Sequence, residues 1–258
     1  MISVICVYNN RKILDDYLLK GLNDQTAESD LVLINNTAGR FSSAAKALNY
    51  GGEKATGDYL MFVHQDIDLI SNTWLEDAER IMASLPSAGI AGMAGASDKH
   101  RGLYSNLKQG NPPVPAADWP VERLLEVQTL DECLMLIPKV VFDKCKFDED
   151  VCVDWHLYSV DYCLSIKNLS YKAFVLPLPG YHRSTGYSMS KGYYTTLKRI
   201  FIKHKGRYPI IYTTMGFWNT SKSVYLNRID QNILKAIRYA MKMKRLALER
   251  LSLHQGRN

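Results

Sequence analysis

Apolar and polar positions in the first half of the chain fall into blocks of two alternating kinds. Ile2-Ser3-Val4-Ile5-Cys6-Val7 is a short β-branched, apolar run, which predicts a buried strand. The next block carries apolar residues at Ile13, Tyr17, Leu18 and Leu22, a helical spacing. Leu31-Val32-Leu33-Ile34 predicts a second strand, ending in Asn35-Asn36-Thr37. Residues 42–54 read as a helix, with Ala45, Leu48 and Asn49 on adjoining turns. Tyr59-Leu60-Met61-Phe62-Val63 predicts a third strand, ending in His64-Gln65-Asp66-Ile67-Asp68. A helix over 72–85 and a small-residue strand over 89–93 follow. This β-α-β-α-β-α-β order implies an α/β fold with a mostly parallel sheet and right-handed crossovers. Tyr8-Asn9-Asn10, Asn35-Asn36-Thr37 and His64-Gln65-Asp66 all fall at the carboxyl ends of strands, where such sheets collect ligands.

The second half is less regular. Residues 97–120 hold four of the nine prolines and two glycines, and read as a long loop, a candidate lid. Patterning resumes over 128–137, followed by a short helix at 139–144, a helix at 156–168 and a strand at 171–176. From Lys191 onward the pattern is helical and basic. Leu234, Ile237, Met241, Leu248 and Leu251 share one stripe, while Lys235, Arg238, Lys242 and Arg245 share another. A basic amphipathic helix of this kind docks on an anionic membrane surface, or packs on the catalytic body or a second copy with its basic face solvated. The rings of Tyr187, Tyr193 and Tyr194 have two uses open to them, stacking on sugar faces or packing the tail onto the body.

Composition narrows the class. At 258 residues, 47% hydrophobic and 22% charged, the chain has the make-up of a soluble globular protein with one large domain or a domain and an appendage. No apolar run reaches the roughly 18 residues that a bilayer-spanning helix needs. The apolar N-terminus is short and lacks a charged leader, so a first strand is expected there and not a signal peptide. Cys6, Cys133, Cys145, Cys152 and Cys163 are scattered with no C-x-x-C, which suits a reducing cytoplasm and argues against a disulfide framework or structural zinc. Charge is unevenly placed. Residues 187–258 carry 15 Lys and Arg against two acids, a balance of +13, whereas residues 1–186 carry 17 against 24, a balance of −7. A basic extension of this kind meets anionic lipid, a phosphorylated substrate or nucleic acid. Nucleic acid is disfavoured, because the basic residues sit in one terminal region behind an acidic front domain.

The most informative chemistry is at His64-Gln65-Asp66-Ile67-Asp68. A carboxylate just past a strand reaches a divalent cation, and Mg²⁺ and Mn²⁺ favour carboxylate and phosphate oxygens, so the reading is a metal–diphosphate site. A solvated turn is the plainer alternative. The surroundings favour the former. The opening strand with Val7-Tyr8-Asn9, the pair Asn35-Asn36, Asn49-Tyr50-Gly51, Gly57-Asp58-Tyr59-Leu60 and His64-Gln65-Asp66 together resemble the N-terminal half of glycosyltransferase family 2, of GT-A fold. In the family the strand-end turn and the Asp-Asn pair approach the nucleotide. The resemblance therefore implies nucleotide-sugar contacts for Val7, Tyr8, Asn9, Asn35, Asn36, Asn49 and Gln65. His64-Gln65-Asp66 stands where the family has its D-x-D metal motif, and resembles a subset that carries H-Q-D. Asp66 and His64 are then metal-ligand candidates, with Asp66-Ile67-Asp68 as a second frame that brings in Asp68. His182, in Pro179-Gly180-Tyr181-His182, matches a family histidine that helps hold the metal or diphosphate.

The resemblance covers about residues 2–186 and implies a division at that point. Residues 1–96 would be the nucleotide-sugar half, 97–186 the acceptor half and 187–258 a basic helical extension. Val127 to Cys145, with Asp131-Glu132 inside it, resembles the acceptor-side strand and helix. His156-Leu157-Tyr158-Ser159-Val160-Asp161 resembles the helix carrying the family's E-D-x-D, with Tyr158-Ser159 in place of E-D. Serine is a poor base, which leaves Asp161, Asp154 and His156 as local substitutes. The expected function is an inverting, metal-assisted transfer of sugar, UDP-linked in the commonest case, to a saccharide or lipid-linked saccharide. Its place would be cytoplasmic, or peripheral at the inner membrane face, in polysaccharide or glycoconjugate synthesis. A nucleotidyltransferase would need a Gly-rich, Lys-bearing first loop, which Val7-Tyr8-Asn9-Asn10-Arg11 lacks. A non-catalytic nucleotide-sugar or nucleic-acid-binding module is the other reading, and the missing E-D pair favours it.

Overall fold

The computed structural model describes residues 1–99, 102–117, 119–185 and 189–255. Tyr187 and the side chains of Lys235, Arg238, Lys242, Arg245, Leu248 and Leu251 lie outside the described residues. The first half follows the predicted alternation. Strand β1 is Ile2–Tyr8. Arg11–Leu14, a π-helical stretch Asp15–Leu19 and Lys20–Asn23 run on as helix α1. Then come β2 (Ser29–Asn35), α2 (Ala44–Gly52), β3 (Tyr59–Val63), α3 (Trp74–Ala83) and β4 (Ala88–Gly92). Side-chain caps fix two of the helix starts. Asn10 accepts from the Ile13 N–H and Ser43 from the Lys46 N–H, each satisfying one otherwise orphaned donor.

The second half adds β5 (Leu125–Val127), β6 (Leu134–Pro138), α4 (Tyr158–Ile166) and β7 (Lys172–Val175). The central sheet has the order β5-β7-β4-β6-β3-β1-β2. β1 pairs parallel with β2 and β3, and β7 pairs parallel with β4. β6 is antiparallel to both β3 and β4, and β5 is antiparallel to β7, so the sheet is mixed, with β5 and β6 reversed. Period-2 alternation divides each central strand between two cores. Ile5, Leu60 and Phe62 join Leu48, Phe142 and Tyr162 on one face, while Val4, Cys6, Met61 and Val63 join Leu14, Leu18 and Trp74 on the other. Burial on both faces is why these strands read as unbroken apolar runs. Each fully buried Leu, Ile or Phe contributes about 1.5–3 kcal/mol.

Two expectations need correction. Residues 97–120 are not one irregular loop. Ala94–Ser97 pairs with Gly102–Ser105, and Leu107–Gln109 pairs with both Val114–Pro115 and Gly180–His182. Gln109, Leu107 and their neighbours are strand formers by pairing with distant segments, which local proline content conceals. The basic extension is also not uniformly helical. Helix α5 (Lys191–His204) is followed by a hairpin, β8 (Ile210–Thr213) and β9 (Gly216–Asn219), before the long helix α6 (Val224–Gln255). Leu197, Ile200 and Phe201 of α5 form one core with Leu157, Val160 and Leu164 around α4, and Ile211 and Trp218 of the hairpin complete it. Tyr193 is buried in that core, edge-on to His156. No helix among the described residues is long and apolar enough to cross a membrane.

Candidate active site

Three strand ends converge on one spot. β3 ends at Val63 and delivers His64, Gln65 and Asp66. Ile67–Asp68 then pairs antiparallel with Gly180–His182, with His182 opposite Ile67, and this register sets the His182 ring beside Asp66. The ligand atoms of His64, Asp66 and His182 lie within 4.8 Å of one another. His182 Nε2 is 3.3 Å from Asp66 Oδ1, and the two histidine rings are 5.7 Å apart. Asp66 also accepts the Ser184 N–H at 3.2 Å, while its carbonyl accepts the Arg183 N–H at 3.0 Å.

Electrostatics suit a cation here. Burial and the neighbouring His182 push the His64 imidazolium down from its ordinary value, against an opposing pull from Asp66, which favours the neutral ring that ligates metal. Burial pushes Asp66 up, but the hydrogen bond and charge of His182, with His64 behind it, outweigh that and hold the carboxyl below its usual range. The Tyr158 hydroxyl lies 3.1 Å from His64 Nε2 and reaches the Glu132 carbonyl at 3.4 Å, an outer contact that orients the ring. Two imidazoles and a carboxylate form a donor set that accommodates Mn²⁺ and related divalent cations. The residues present therefore fit a divalent metal.

A groove runs from this cluster along the strand ends. One cavity of about 280 Å³ is lined by Val7, Tyr8, Asn9, Asn36, Gln65 and Asp66. A second, of about 240 Å³, shares Val7, Asn9, His64 and Trp155 with it and runs inward to Glu132 and Tyr158. Gln65 pins the groove's first wall: its Oε1 accepts the N–H groups of Asn9 and Asn10 at 3.1 and 3.0 Å, and its Nε2 donates to Asn9 Oδ1 at 2.8 Å. Asn36 holds the β2 turn through the backbone of Phe41.

Other expected residues lie elsewhere. Asn35 is exposed and spends its side chain on the N–H and hydroxyl of Thr37. Asn49 is buried and binds the backbone of Phe147 on both sides, away from the groove. Asp68 pairs across from Tyr181 and is outside the metal cluster. Asp161 is 1% exposed and engages Lys203 and His204, each at 2.8 Å, so it braces α4 against α5. Asp154 accepts from Ser190 at 3.3 Å, and His156 packs on Tyr193. Ser159 donates to the Leu130 carbonyl from a buried position.

The carboxylate that the structure does bring to the groove is Glu132. It accepts the N–H of Leu157, whose left-handed φ of 66° turns the chain into α4, and among the described residues no cation pairs with it. Burial, reinforced by the charge of Asp131, pushes its carboxyl well above the ordinary range, which marks a strong base when ionised. Trp155, exposed and shared by both cavities, is another lining residue outside the expected set, as is Tyr158.

Residues 3–204 match the Glycosyltransferase like family. The chain belongs to that family. No curated protein matches this family member at a significant level. Solved structures similar to it share its GT-A fold. GalNAc-T7 with UDP, GalNAc and Mn²⁺ is 12% identical over 78% of this chain and 47% of its own, with a TM-score of 0.57. Staphylococcus aureus TarS 1-349 with UDP-GlcNAc is 14% identical over 78% and 66%, at 0.53. The Pyrobaculum calidifontis mannosyltransferase PcManGT with GDP-Man and Mn²⁺ is 14% identical over 80% and 64%, at 0.52. This glycosyltransferase-like chain thus spans about half to two-thirds of the length of those structures.

Proposed function

We propose that this protein transfers a sugar from a nucleoside-diphosphate sugar, UDP-linked in the first instance, to a hydroxyl of a saccharide or lipid-linked saccharide. The observation that carries this is the His64-Asp66-His182 cluster at the end of a groove floored by the β1 and β2 termini. Similar folds are known in complex with UDP, UDP-GlcNAc and GDP-Man, two of them with Mn²⁺, which supports the donor class and the cation. Bound by His64, Asp66 and His182, Mn²⁺ or Mg²⁺ would offset the charge that develops on the leaving diphosphate. His64-Gln65-Asp66 would do here what D-x-D does elsewhere, with Gln65 fixing the Asn9 turn rather than meeting the ion.

The chain's own residues supply the rest. Tyr8, Asn9 and Asn36 border the outer cavity and would hold the nucleoside. Glu132, at the inner end, takes the acceptor's proton as the hydroxyl attacks the anomeric carbon. One carboxylate suffices for a single displacement, so the product is inverted. Asp161 is spent on Lys203 and His204, and does not serve as the base. The product would be a surface polysaccharide or glycoconjugate built on the cytoplasmic side of a membrane. α6 supports such a place through exposed Tyr225, Ile229, Ile233, Ile237 and Met241, beside concavities lined by Lys198, Lys205 and Lys222 and by Lys191 and Arg228.

Turnover of sugar nucleotides tests the reading. With Mn²⁺, wild type should release nucleoside diphosphate from at least one donor. Glu132→Gln should lower that rate by about 10²–10⁴-fold while donor binding persists. Absence of turnover with any UDP- or GDP-sugar, despite nucleotide binding, would favour a non-catalytic sugar-nucleotide-binding module.

A further inference from the structure

We infer that a row of lysines along α5, faced by the start of α6, binds membrane lipids that end in a phosphomonoester or diphosphate. The phosphate site stands on its own geometry, whereas its use in presenting a lipid-borne acceptor rests on the transferase reading above.

Lys191, Lys198 and Lys205 recur every seven residues, so they fall on one face of α5 and its C-cap, each about 10 Å from the next along the axis. Two adjoining concavities lie along that face and share Lys198. One, of about 410 Å³, sets Lys198, Lys205 and Lys222 around apolar Phe201, Val224 and Tyr225. The other, of about 580 Å³, is lined by Lys191, Lys198 and Arg228. Both fall in the size range of small-ligand sites. Among the described residues no carboxylate lines either concavity, and of the five cations only Lys222 forms an ion pair, with Asp230 at 2.6 Å. Other cations of α5 are matched: Lys203 pairs with Asp148 at 2.9 Å and Asp161 at 2.8 Å, and Arg199 donates to the Asp150 carbonyl. Unmatched charge on α5 is thus gathered along its seam with α6. A concave surface lined by one sign of charge focuses its field on an anion that enters.

The groups present select the anion. Each ammonium offers three donors, and the Arg228 guanidinium is held over the Tyr194 ring at 4.4 Å. Three cations around each concavity exceed what the single charge of a phosphodiester offsets. A terminal phosphate, with a second pKa near 6, carries close to two charges and three acceptor oxygens. Tyr225 ties the site to lipid. It lines the first concavity and also begins the exposed stripe that continues through Ile229, Ile233, Ile237 and Met241. Cations beside an apolar helix face suit a headgroup and its hydrocarbon together, as in helices that lie in a membrane interface. The other end of the row meets the groove. Ser190, the N-cap of α5 beside Lys191, donates to Asp154 at 3.3 Å, and the adjacent Trp155 lines the groove. A headgroup on this row therefore holds the groove near the bilayer surface, where a lipid-borne acceptor is presented.

Co-sedimentation with phosphatidylcholine vesicles carrying either phosphatidic acid or phosphatidylglycerol, matched in zeta potential, tests this at pH 7.5. Wild type should bind the phosphatidic acid vesicles about tenfold more tightly, the worth of one added charge-assisted hydrogen bond. Lys198→Gln combined with Lys205→Gln should abolish that preference and melt as wild type does. Lys20→Gln combined with Lys46→Gln, an equal loss of charge elsewhere, should keep it. Equal affinity of wild type for the two vesicles, or a preference that persists in the Lys198/Lys205 variant, would overturn the site. Stabilisation of wild type but not of that variant by inorganic pyrophosphate, with no vesicle preference, would overturn the lipid assignment in favour of a soluble phosphate. Vesicle preference without turnover of any sugar nucleotide would uphold the site and contradict the transferase reading alone.

Discussion

Two acidic side chains, Asp66 and Glu132, border the same groove and are pushed in opposite directions by what surrounds them. Asp66 has two imidazoles beside it and is held low; Glu132 has burial and a neighbouring acid, and is raised. The raised carboxyl has a consequence for stability. Between its unfolded pKa, near 4.3, and its higher folded value, the native state binds the extra proton, so stability falls as pH rises through that window. In EDTA, wild type should therefore melt lower at pH 7.5 than at pH 5.5, and Glu132→Gln should remove this part of the difference. An unchanged pH dependence in the variant would place the cost elsewhere. Glu132 was hard to read from sequence because Asp131-Glu132 looks like a polar cap on an apolar strand. The left-handed Leu157 that gives Glu132 its hydrogen bond has no signature in the sequence, since leucine is not a residue that favours that conformation. His64 and Asp66 were legible because a polar cluster directly follows an apolar strand, a position that parallel sheets reserve for ligands.

At the level of elements, the same limit explains which parts of the fold were readable. β1 to β4 and their helices announce themselves through period and length. The β8–β9 hairpin does not, since its strands are four residues each and lie between two long basic helices. The strands within 97–120 are similarly short and depend on distant partners such as Gly180–His182. Asp161 illustrates the converse, a residue whose motif position suggested chemistry and whose contacts are structural. Its carboxylate binds Lys203 and His204 across the α4–α5 interface at 2% side-chain exposure. Burial opposes the charge on Lys203, but Asp161 and Asp148 outweigh it and raise the ammonium above its ordinary value. Asp161→Ala leaves those partners unmatched and should cost about 3–5 kcal/mol of stability. Denaturant titration measures that loss. Should the variant retain wild-type stability while losing turnover, the structural assignment would be wrong and Asp161 would return as a catalytic candidate.

Across the whole molecule, charge and apolar surface are distributed together. The first 186 residues balance at −7 and the last 72 at +13, and that basic end also carries the exposed stripe of Tyr225, Ile229, Ile233, Ile237 and Met241. Co-sedimentation with vesicles containing phosphatidylglycerol should pellet the protein at low salt and release it near 1 M salt, where screening shortens to about 3 Å. Neutral vesicles should leave it in solution. Equal binding to both, or to neither, would contradict membrane docking without touching the donor site.

The central claim, a metal-dependent nucleotide site built on His64, Asp66 and His182, is tested most directly by thermal unfolding with UDP and GDP, with and without Mn²⁺. A nucleotide at about 100 times its dissociation constant adds roughly 2.7 kcal/mol. The account predicts a stabilisation of that order for one nucleotide, present only with Mn²⁺ and absent in Asp66→Ala. Stabilisation that is indifferent to Mn²⁺, or that survives in Asp66→Ala, would contradict it.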